Sequence, residues 1–402
     1  MASKKTIEII KSTAPALEQH GEAITKVFYQ FLFTNHPELK DVFNMTHQQK
    51  GTQQKVLANA IFQYAVHVDK LEMMKDAVES IAQKHTSLAI PKEAYPIVGK
   101  YLLIAIKEVL GTSATSEIID AWEEAYNDLS AIFIQREEDI YTEREQFRGG
   151  YRGSKEFLVT KKVKESDVIT SFYLKRKDGE SVPPFIPGQY IALTVDIPNT
   201  THKHTRNYRL SDSNEKDYLR ISVKKESGNP EGIVSNYLHD KINEGGILEL
   251  GMPSGEFTLK KTEKPIVLIS GGIGATPLIS MFKKASKNKS QKITFIQCVL
   301  NSDTHAFSEE IHKLLNENIT TKTVYSLPLI EDILGKDYDY KGYLTSEIFE
   351  DVNISPDSDF YFCGPTPFMA NTLSILENLG VKSEQIHYEF FGPVEELSLS
   401  LA

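Results

Sequence analysis

The chain has 402 residues, 40% of them hydrophobic, with 45 lysines and arginines against 55 aspartates and glutamates for a net charge of −10. That length predicts two or three domains, and an acidic balance with no long basic run excludes a nucleic-acid partner. Two cysteines, Cys298 and Cys363, exclude a disulfide framework, and the lack of any 18-residue apolar stretch or signal-peptide core predicts no membrane span and a cytoplasmic location.

Residues 1 to about 145 read as all-helical, with apolar residues recurring at three and four. Ile24, Val27, Phe28, Phe31 and Leu32 make one stripe before His36-Pro37. Leu57, Ala60, Ile61 and Tyr64 make another, with Gln53 one turn upstream. Met74, Val78, Ile81, Ala82 and His85 follow, and Pro91 ends that pattern. Tyr95, Val98, Leu102, Ile106 and Val109 make the next, and Trp122, Tyr126, Leu129, Phe133, Glu137 and Ile140 the last. His85 closes an apolar stripe, either as a cap on the helix dipole or as a ligand. Glu137 is anomalous on an apolar stripe. It is either a surface carboxylate beside Arg136 or a buried charge that needs a partner, for which His85 and Tyr95 are the candidates. A carboxylate that accepts the free N–H of a metal-ligating histidine fixes its tautomer and strengthens it as a donor. Tyr29 sits one position off the apolar face of its helix and Phe43 follows in LKDVFNM; both suit core aromatics.

The run FRGGYRGS, residues 147–154, marks a domain boundary. Beyond it come short β-like runs at the spacing of an antiparallel barrel or sandwich. They carry PGQY, RNYRL and GIVSNYL. An arginine beside an aromatic suits a flavin nucleotide, the cation for pyrophosphate and the ring for stacking. After KKTEKP, strands alternate with amphipathic helices, which indicates a parallel α/β sheet. Its first strand, PIVLIS, runs into GGIGATP, a turn able to cradle phosphate at a helix N-terminus. FCGP and HYEFFGP follow. Both cysteines sit in apolar strands and are expected to be buried. His202 and His204, in THKHT, read as an exposed loop.

The segments FTNHPELKDVFNM and AQKHTS, with the arginine-glutamate pair of IQREEDIY, resemble the globin domain of the flavohaemoglobins, and the whole chain resembles that family end to end. The resemblance implies a multidomain fold: an all-α globin domain at 1–147, an antiparallel β-barrel FAD-binding domain at 155–262, and an α/β NAD(P)-binding domain at 263–402, like those of ferredoxin reductases. It implies haem b on His85, with Tyr95 and Glu137 as the proximal relay. Tyr29 becomes the distal donor to bound oxygen, Gln53 and Leu57 line that side, Phe43 packs on the haem, and Lys84 tunes its potential.

Tyr190, Arg206, Asn207, Tyr208, Arg209, Val234 and Ser235 become FAD contacts. Arg209 departs from the family pattern, which has a serine or threonine there for flavin N5; either N5 finds another donor or the Arg209 backbone substitutes. Gly272, Ile273, Gly274, Ala275, Thr276 and Pro277 would hold NADH or NADPH, with Cys363 and Gly364 beside the nicotinamide. Glu389, Phe390, Phe391, Gly392 and Pro393 would close the site. No arginine pair follows KITFIQCVL to claim a 2′-phosphate, a tilt toward NADH. The implied activity is a monomeric nitric oxide dioxygenase that takes oxygen, nitric oxide and NAD(P)H. Its rivals are a flavin-dependent peroxide or ferric reductase and an oxygen-binding or oxygen-sensing globin.

Overall fold

The computed structural model describes residues 2–43, 45, 48, 51–229 and 231–389. They fall into two compact units. One comprises 1–147 with 151–154 and 194–206; the other comprises 148–150, 155–193 and 207–402.

The first unit is helical: α1 (Lys4–Ser12), α2 (Ala14–Asn35), a 3₁₀ turn at Pro37–Asp41, α3 (Thr52–His67), α4 (Lys75–Ser87), α5 (Ala94–Leu110) and α6 (Ser116–Glu145). Thr115 caps α6 by accepting from the Ile118 N–H. The apolar stripes meet in one core that includes Phe28, Leu32, Ile61, Leu102, Ile106 and Trp122. Gly99 on α5 lets Tyr126 of α6 lie flat against the backbone, since a Cβ there would strike the tyrosine ring. The Tyr126 hydroxyl then donates to the Tyr95 carbonyl at 2.7 Å. This contact fixes the first turn of α5 against α6. The stripe expected to begin at Met74 is corrected in one detail. Met74 closes a separate 3₁₀ turn, Leu71–Met74, and α4 begins at Lys75.

Two sheets follow the helices in the chain. Strands β1 (Ser154–Lys164), β2 (Ile169–Arg176), β3 (Tyr190–Val195), β4 (His204–Arg209), β5 (Leu219–Lys224) and β6 (Ile247–Gly251) run in the order β4-β3-β6-β1-β2-β5. A bridge between Leu210 and Ile221 links the two ends of that order, so the sheet is a nearly closed antiparallel barrel. Helix α7 (Ile233–Lys241) follows β5.

The other sheet is parallel, in the order β10-β9-β8-β7-β11-β12. Its strands are β7 (Ile266–Gly271), β8 (Ile293–Val299), β9 (Ile319–Tyr325), β10 (Tyr340–Lys341), β11 (Asp359–Cys363) and β12 (Ile386–Tyr388). The helices between them are α8 (Ala275–Ala285), α9 (Ser308–His312), α10 (Ser346–Asp351) and α11 (Thr366–Asn378). Every residue of β7 and β11 is buried, which is why these strands read as unbroken apolar runs. The winding reverses between β7 and β11. Their carboxyl ends carry Gly271–Gly274 and Cys363–Gly364, and the crevice at such a reversal is where open α/β sheets take ligands.

A buried charge cluster ties the barrel to the parallel sheet. Arg220 on β5 is fully buried and donates to Glu310 of α9 at 2.5 and 3.1 Å. Lys283 of α8 pairs with Asp212 at 2.6 Å and with Glu310 at 2.9 Å. Burial alone would raise both carboxyls, but Arg220 and Lys283 reverse that and hold Asp212 and Glu310 below the usual carboxylate range. Depressed carboxyl pKa values stabilise the fold above the unfolded value, about 4, and that stability is lost as pH falls through the folded values. We expect Arg220→Ala to destabilise this unit by about 3–5 kcal/mol, because it leaves Lys283 alone to offset both the Glu310 and the Asp212 carboxylates. The penalty should shrink in acid, where the two carboxyls protonate. Urea unfolding followed by circular dichroism reports both units, whereas fluorescence of Trp122, the sole tryptophan, reports the helical one. The fluorescence midpoint should therefore stay in place while the dichroism midpoint falls.

Candidate functional site

Three side chains from three helices converge in the helical unit. His85 lies in the last turn of α4, Tyr95 in the first turn of α5, and Glu137 on the inner face of α6. The His85 Nδ1 is 2.8 Å from Glu137 Oε1 and 3.0 Å from the Tyr95 hydroxyl, and Tyr95 donates to the same carboxylate oxygen. Glu137 is only 4% exposed, and Arg136 turns away to Glu79 at 2.6 Å. This geometry overturns the surface-carboxylate alternative. Burial, then the Glu137 charge, pushes the Tyr95 phenol far above its ordinary value, so it stays a donor. With Glu137 accepting, the proton sits on Nδ1 and Nε2 keeps the lone pair that a metal needs.

Two supports hold the cluster, one on the apolar stripe and one beyond its end. Phe133 packs 6.0 Å from the His85 ring and stacks on Tyr95. Arg144 donates to Thr86 at 2.9 Å and to Gln83 at 2.6 Å, clamping the end of α4. Arg144 lies two turns beyond Glu137 on one helical face, so extending that stripe would have found it. Lys84 is exposed on the neighbouring position of α4.

Tyr29 is buried, as suits a core aromatic, although it lies one position off the apolar stripe: α2 packs against both α3 and α5 and is enclosed on two sides. Its ring stacks on Phe33 at 5.6 Å and meets Phe43 edge-on at 5.8 Å. Burial raises its phenol well above the usual range, with Gln48 and Gln53 acting on the hydroxyl in the opposite sense, so Tyr29 is a protonated donor. Gln53 and Leu57, on α3, are half-buried. Gln48 was not foreseen, because the run THQQKGTQQ gives no reason to prefer one glutamine. It is buried, and neither its amide nitrogen nor its amide oxygen has a partner of full hydrogen-bond geometry, which suits a polar group facing a ligand. A histidine with a free Nε2 and an orphaned buried amide fit a haem.

In the barrel, Tyr190 and Arg209 are buried, Arg206 and Tyr208 are half-buried, and Asn207 is exposed. The Arg209 guanidinium donates to the Gly188 carbonyl at 2.6 Å, lies 5.0 Å over the Tyr190 ring, and pairs with Glu389. Burial pushes it down to about 10, still charged at neutral pH. Val234 and Ser235 are buried in the first turn of α7. Gly232 precedes them; a Cβ there would collide with the Ser235 hydroxyl, so only glycine lets this turn close. The unpaired N–H groups of that turn suit a diphosphate.

At the sheet's reversal point, Gly272 has φ +52° and a Cβ on Gly274 would collide with the Cys363 carbonyl. Ile273 is half-buried, while Ala275, Thr276 and Pro277 are buried in the first turn of α8. The Ser270 hydroxyl, at the end of β7, is buried without a partner. An orphaned hydroxyl beside a glycine turn fits a dinucleotide. Burial pushes the Cys363 thiol up to about 12, which makes it a packing group rather than a nucleophile. Cys298, expected to be buried, is partly exposed. Glu389 follows β12; Phe390, Phe391, Gly392 and Pro393 lie outside the described residues. The loop expectation for THKHT is corrected, since His204 begins β4 and is buried. Among the described residues no helix is long and apolar enough to cross a membrane.

The globin family profile matches residues 26–133, the oxidoreductase FAD-binding domain 156–259, and the oxidoreductase NAD-binding domain 268–373. The flavohemoprotein of Bacillus thuringiensis subsp. konkukian is 47% identical over 403 residues, covering 99% of this chain and 100% of the relative. The chain belongs to the flavohemoprotein family. A flavohemoglobin structure from Malassezia yamatoensis, solved with bound FAD and haem, shares the fold at TM-score 0.83 and 24% identity, covering 97% of this chain and 99% of that one. The FAD/NAD-binding domain of the nitric oxide dioxygenase of Vibrio cholerae O1 biovar El Tor is 33% identical at TM-score 0.55, covering 60% of this chain and 99% of that one. As a flavohemoprotein, this chain is an NAD(P)H oxidoreductase whose cofactors are haem, FAD and a nicotinamide nucleotide, and whose reductase half reduces the haem.

Three outcomes follow from the geometry. His85→Ala should lose stable haem binding while the FAD content and NADH oxidation by artificial acceptors persist. Glu137→Gln should keep the haem but lower the iron–histidine stretching frequency, because a neutral amide polarises Nδ1–H less; resonance Raman spectra that match the unaltered protein would exclude the relay. Arg209→Ser should retain FAD yet leave the Glu389 carboxylate uncompensated, making negative charge on reduced flavin costlier. A midpoint potential lower by on the order of 30 mV, about 1.4 kcal/mol for a two-electron couple, is expected by dye-coupled titration. The double variant with Glu389→Gln should recover most of that shift.

Proposed function

We propose that this flavohemoprotein is a nitric oxide dioxygenase that draws electrons from NAD(P)H and converts nitric oxide and oxygen to nitrate. The observation that carries the reading is the 2.8 Å contact between His85 Nδ1 and the buried Glu137 carboxylate. A proximal imidazole made electron-rich in this way favours oxygen activation over simple carriage, because ligand basicity is one of the protein's levers on haem iron. The fused reductase supports it too, since storage or sensing of oxygen needs little reducing flux. The dioxygenase named for the similar Vibrio domain points the same way.

When bound, the cofactors supply hydride transfer, its division into single electrons, and oxygen activation. The chain supplies the rest, in our division into 1–147, 155–262 and 263–402. His85 holds the iron and Glu137 keeps the Nδ1 proton in place. Tyr29 would donate its hydroxyl to a ligand of the bound haem, Gln53 and Leu57 would line that pocket, and Phe43 would pack on the haem. Arg206 would meet the FAD pyrophosphate while Tyr190 and Tyr208 would hold its ring system. Gly272–Gly274 and the first turn of α8 receive the dinucleotide, with NADH preferred. We place the enzyme in the cytosol, where both of its thiols stay reduced.

Aerobic NADH consumption that rises on adding nitric oxide, with nitrate accumulating in proportion, is the expected result. Consumption indifferent to nitric oxide but stimulated by peroxide or ferric iron would favour the flavin reductase instead. Tyr29→Phe tests the distal half. A hydrogen bond to a charged acceptor is worth about 1.5–3 kcal/mol. Stopped-flow oxygen dissociation should therefore quicken on the order of tenfold to a hundredfold, with unchanged flavin reduction.

A further inference from the structure

His202 and His204 are separated by one residue, with His202 in a bend and His204 at the start of β4. His204 opens β4 and is 6% exposed; His202 is half-buried. Their rings lie 4.6 Å apart between centroids at 47°. The Nε2 atoms of both are buried and without hydrogen-bond partners. One orphaned imidazole nitrogen in a core is uncommon; two on neighbouring rings are a pair of donors with nothing to bind.

The surroundings are polar and ordered. Asp41, at the end of the Pro37–Asp41 turn, accepts from the Lys203 N–H at 3.0 Å through its carboxylate and from the Thr205 hydroxyl at 3.1 Å through its carbonyl. Thr205 in turn meets Thr194 at 2.8 Å. The Thr201 hydroxyl lies 3.2 Å from His202 Nδ1, so hydrogen bonding occupies the ring nitrogen opposite the orphan. Asp41 and Asp196 place negative charge near His204, while His202 and Arg206 oppose them.

We propose that His202 and His204 bind a divalent transition cation of the zinc type through their Nε2 atoms. Neutral imidazoles select zinc, copper or nickel over magnesium and calcium, which prefer oxygen. Among the described residues no cluster of three or more histidine, cysteine or carboxylate side chains could hold a metal. The site therefore rests on two imidazoles. Such a site is weaker than a four-ligand structural zinc site and exchanges with the free metal. Its cation would staple the 200–204 connection to β4, just before Arg206. This site is separate from the haem iron and does not rest on the dioxygenase reading.

The test is titration of the full-length holoenzyme, stripped by chelator of loosely bound metal, with Zn²⁺ against a chromophoric competitor. One equivalent should bind, with two imidazole nitrogens in its X-ray absorption spectrum, and Mg²⁺ should not compete. His202→Ala should weaken that equivalent at least tenfold and leave metal-free NADH oxidation unchanged. His204→Asn should do the same, but because His204 is buried, the half-buried His202 carries the decision if that variant fails to fold. Equal zinc affinity in His202→Ala, or no bound equivalent in the unaltered protein, would overturn the site.

Discussion

A carboxylate buried in an apolar helical core must be paired, and the Glu137 carboxylate is the constraint on which the helical unit's chemistry depends. Its partners, His85 and Tyr95, come from two other helices. Satisfying it therefore sets how the end of α4, the start of α5 and the middle of α6 meet. The neighbours follow from that meeting. Tyr126 ties the Tyr95 carbonyl to α6, and Gly99 makes room for it. Arg144 holds the last turn of α4 from the other side. The interaction that orients His85 also fixes which nitrogen is protonated, so structure and ligand basicity are one arrangement.

Much of this was legible in the residues. Glu137 interrupts an otherwise apolar period, and only burial with a partner, or exposure, could explain it; the structure supports the first. The helices and the parallel strands were legible because burial leaves strong periodic or continuous apolar patterns. Hidden were contacts whose partners are distant in the chain and whose local patterns are bland. Arg220 sits in a strand that reads as half-polar, and Glu310 lies 90 residues further on in a short helix. His204 looked like loop because THKHT is polar, yet β4 begins there. Gln48 is one of several similar glutamines, and only its enclosure distinguishes it.

Arg209 shows how one departure changes a local balance. A bare guanidinium under the barrel wall would add a full positive charge where the family pattern has a hydroxyl. Glu389, following β12, answers it with a carboxylate, and the Gly188 carbonyl and the Tyr190 face take up the remaining donors and the cation. The large side chain is thus accommodated with little net charge. Gly255 contributes in the same place, since its φ of +102° brings the backbone against the Tyr190 ring where a Cβ would clash.

Glu137, Arg220 and Arg209 share a design. Each is a buried ion whose partner sits on a different element, and each falls where two elements must keep a fixed angle. Apolar surfaces slide with little penalty, because dispersion is non-directional and volume is easily conserved. A hydrogen-bonded buried charge does not, since a displacement on the order of an ångström breaks charge-assisted bonds in a low-dielectric setting, whether the partner is a cation as for Arg220 and Arg209 or a neutral donor as for Glu137. Replacing such pairs with well-packed apolar groups often costs little stability. Their value here is therefore orientation: of His85 against its relay, of the barrel against the parallel sheet, and of the segment after β12 against Tyr190. Electron transfer and hydride transfer depend steeply on such geometry, and under the proposed function these buried charges would hold it without depending on the exact filling of the core.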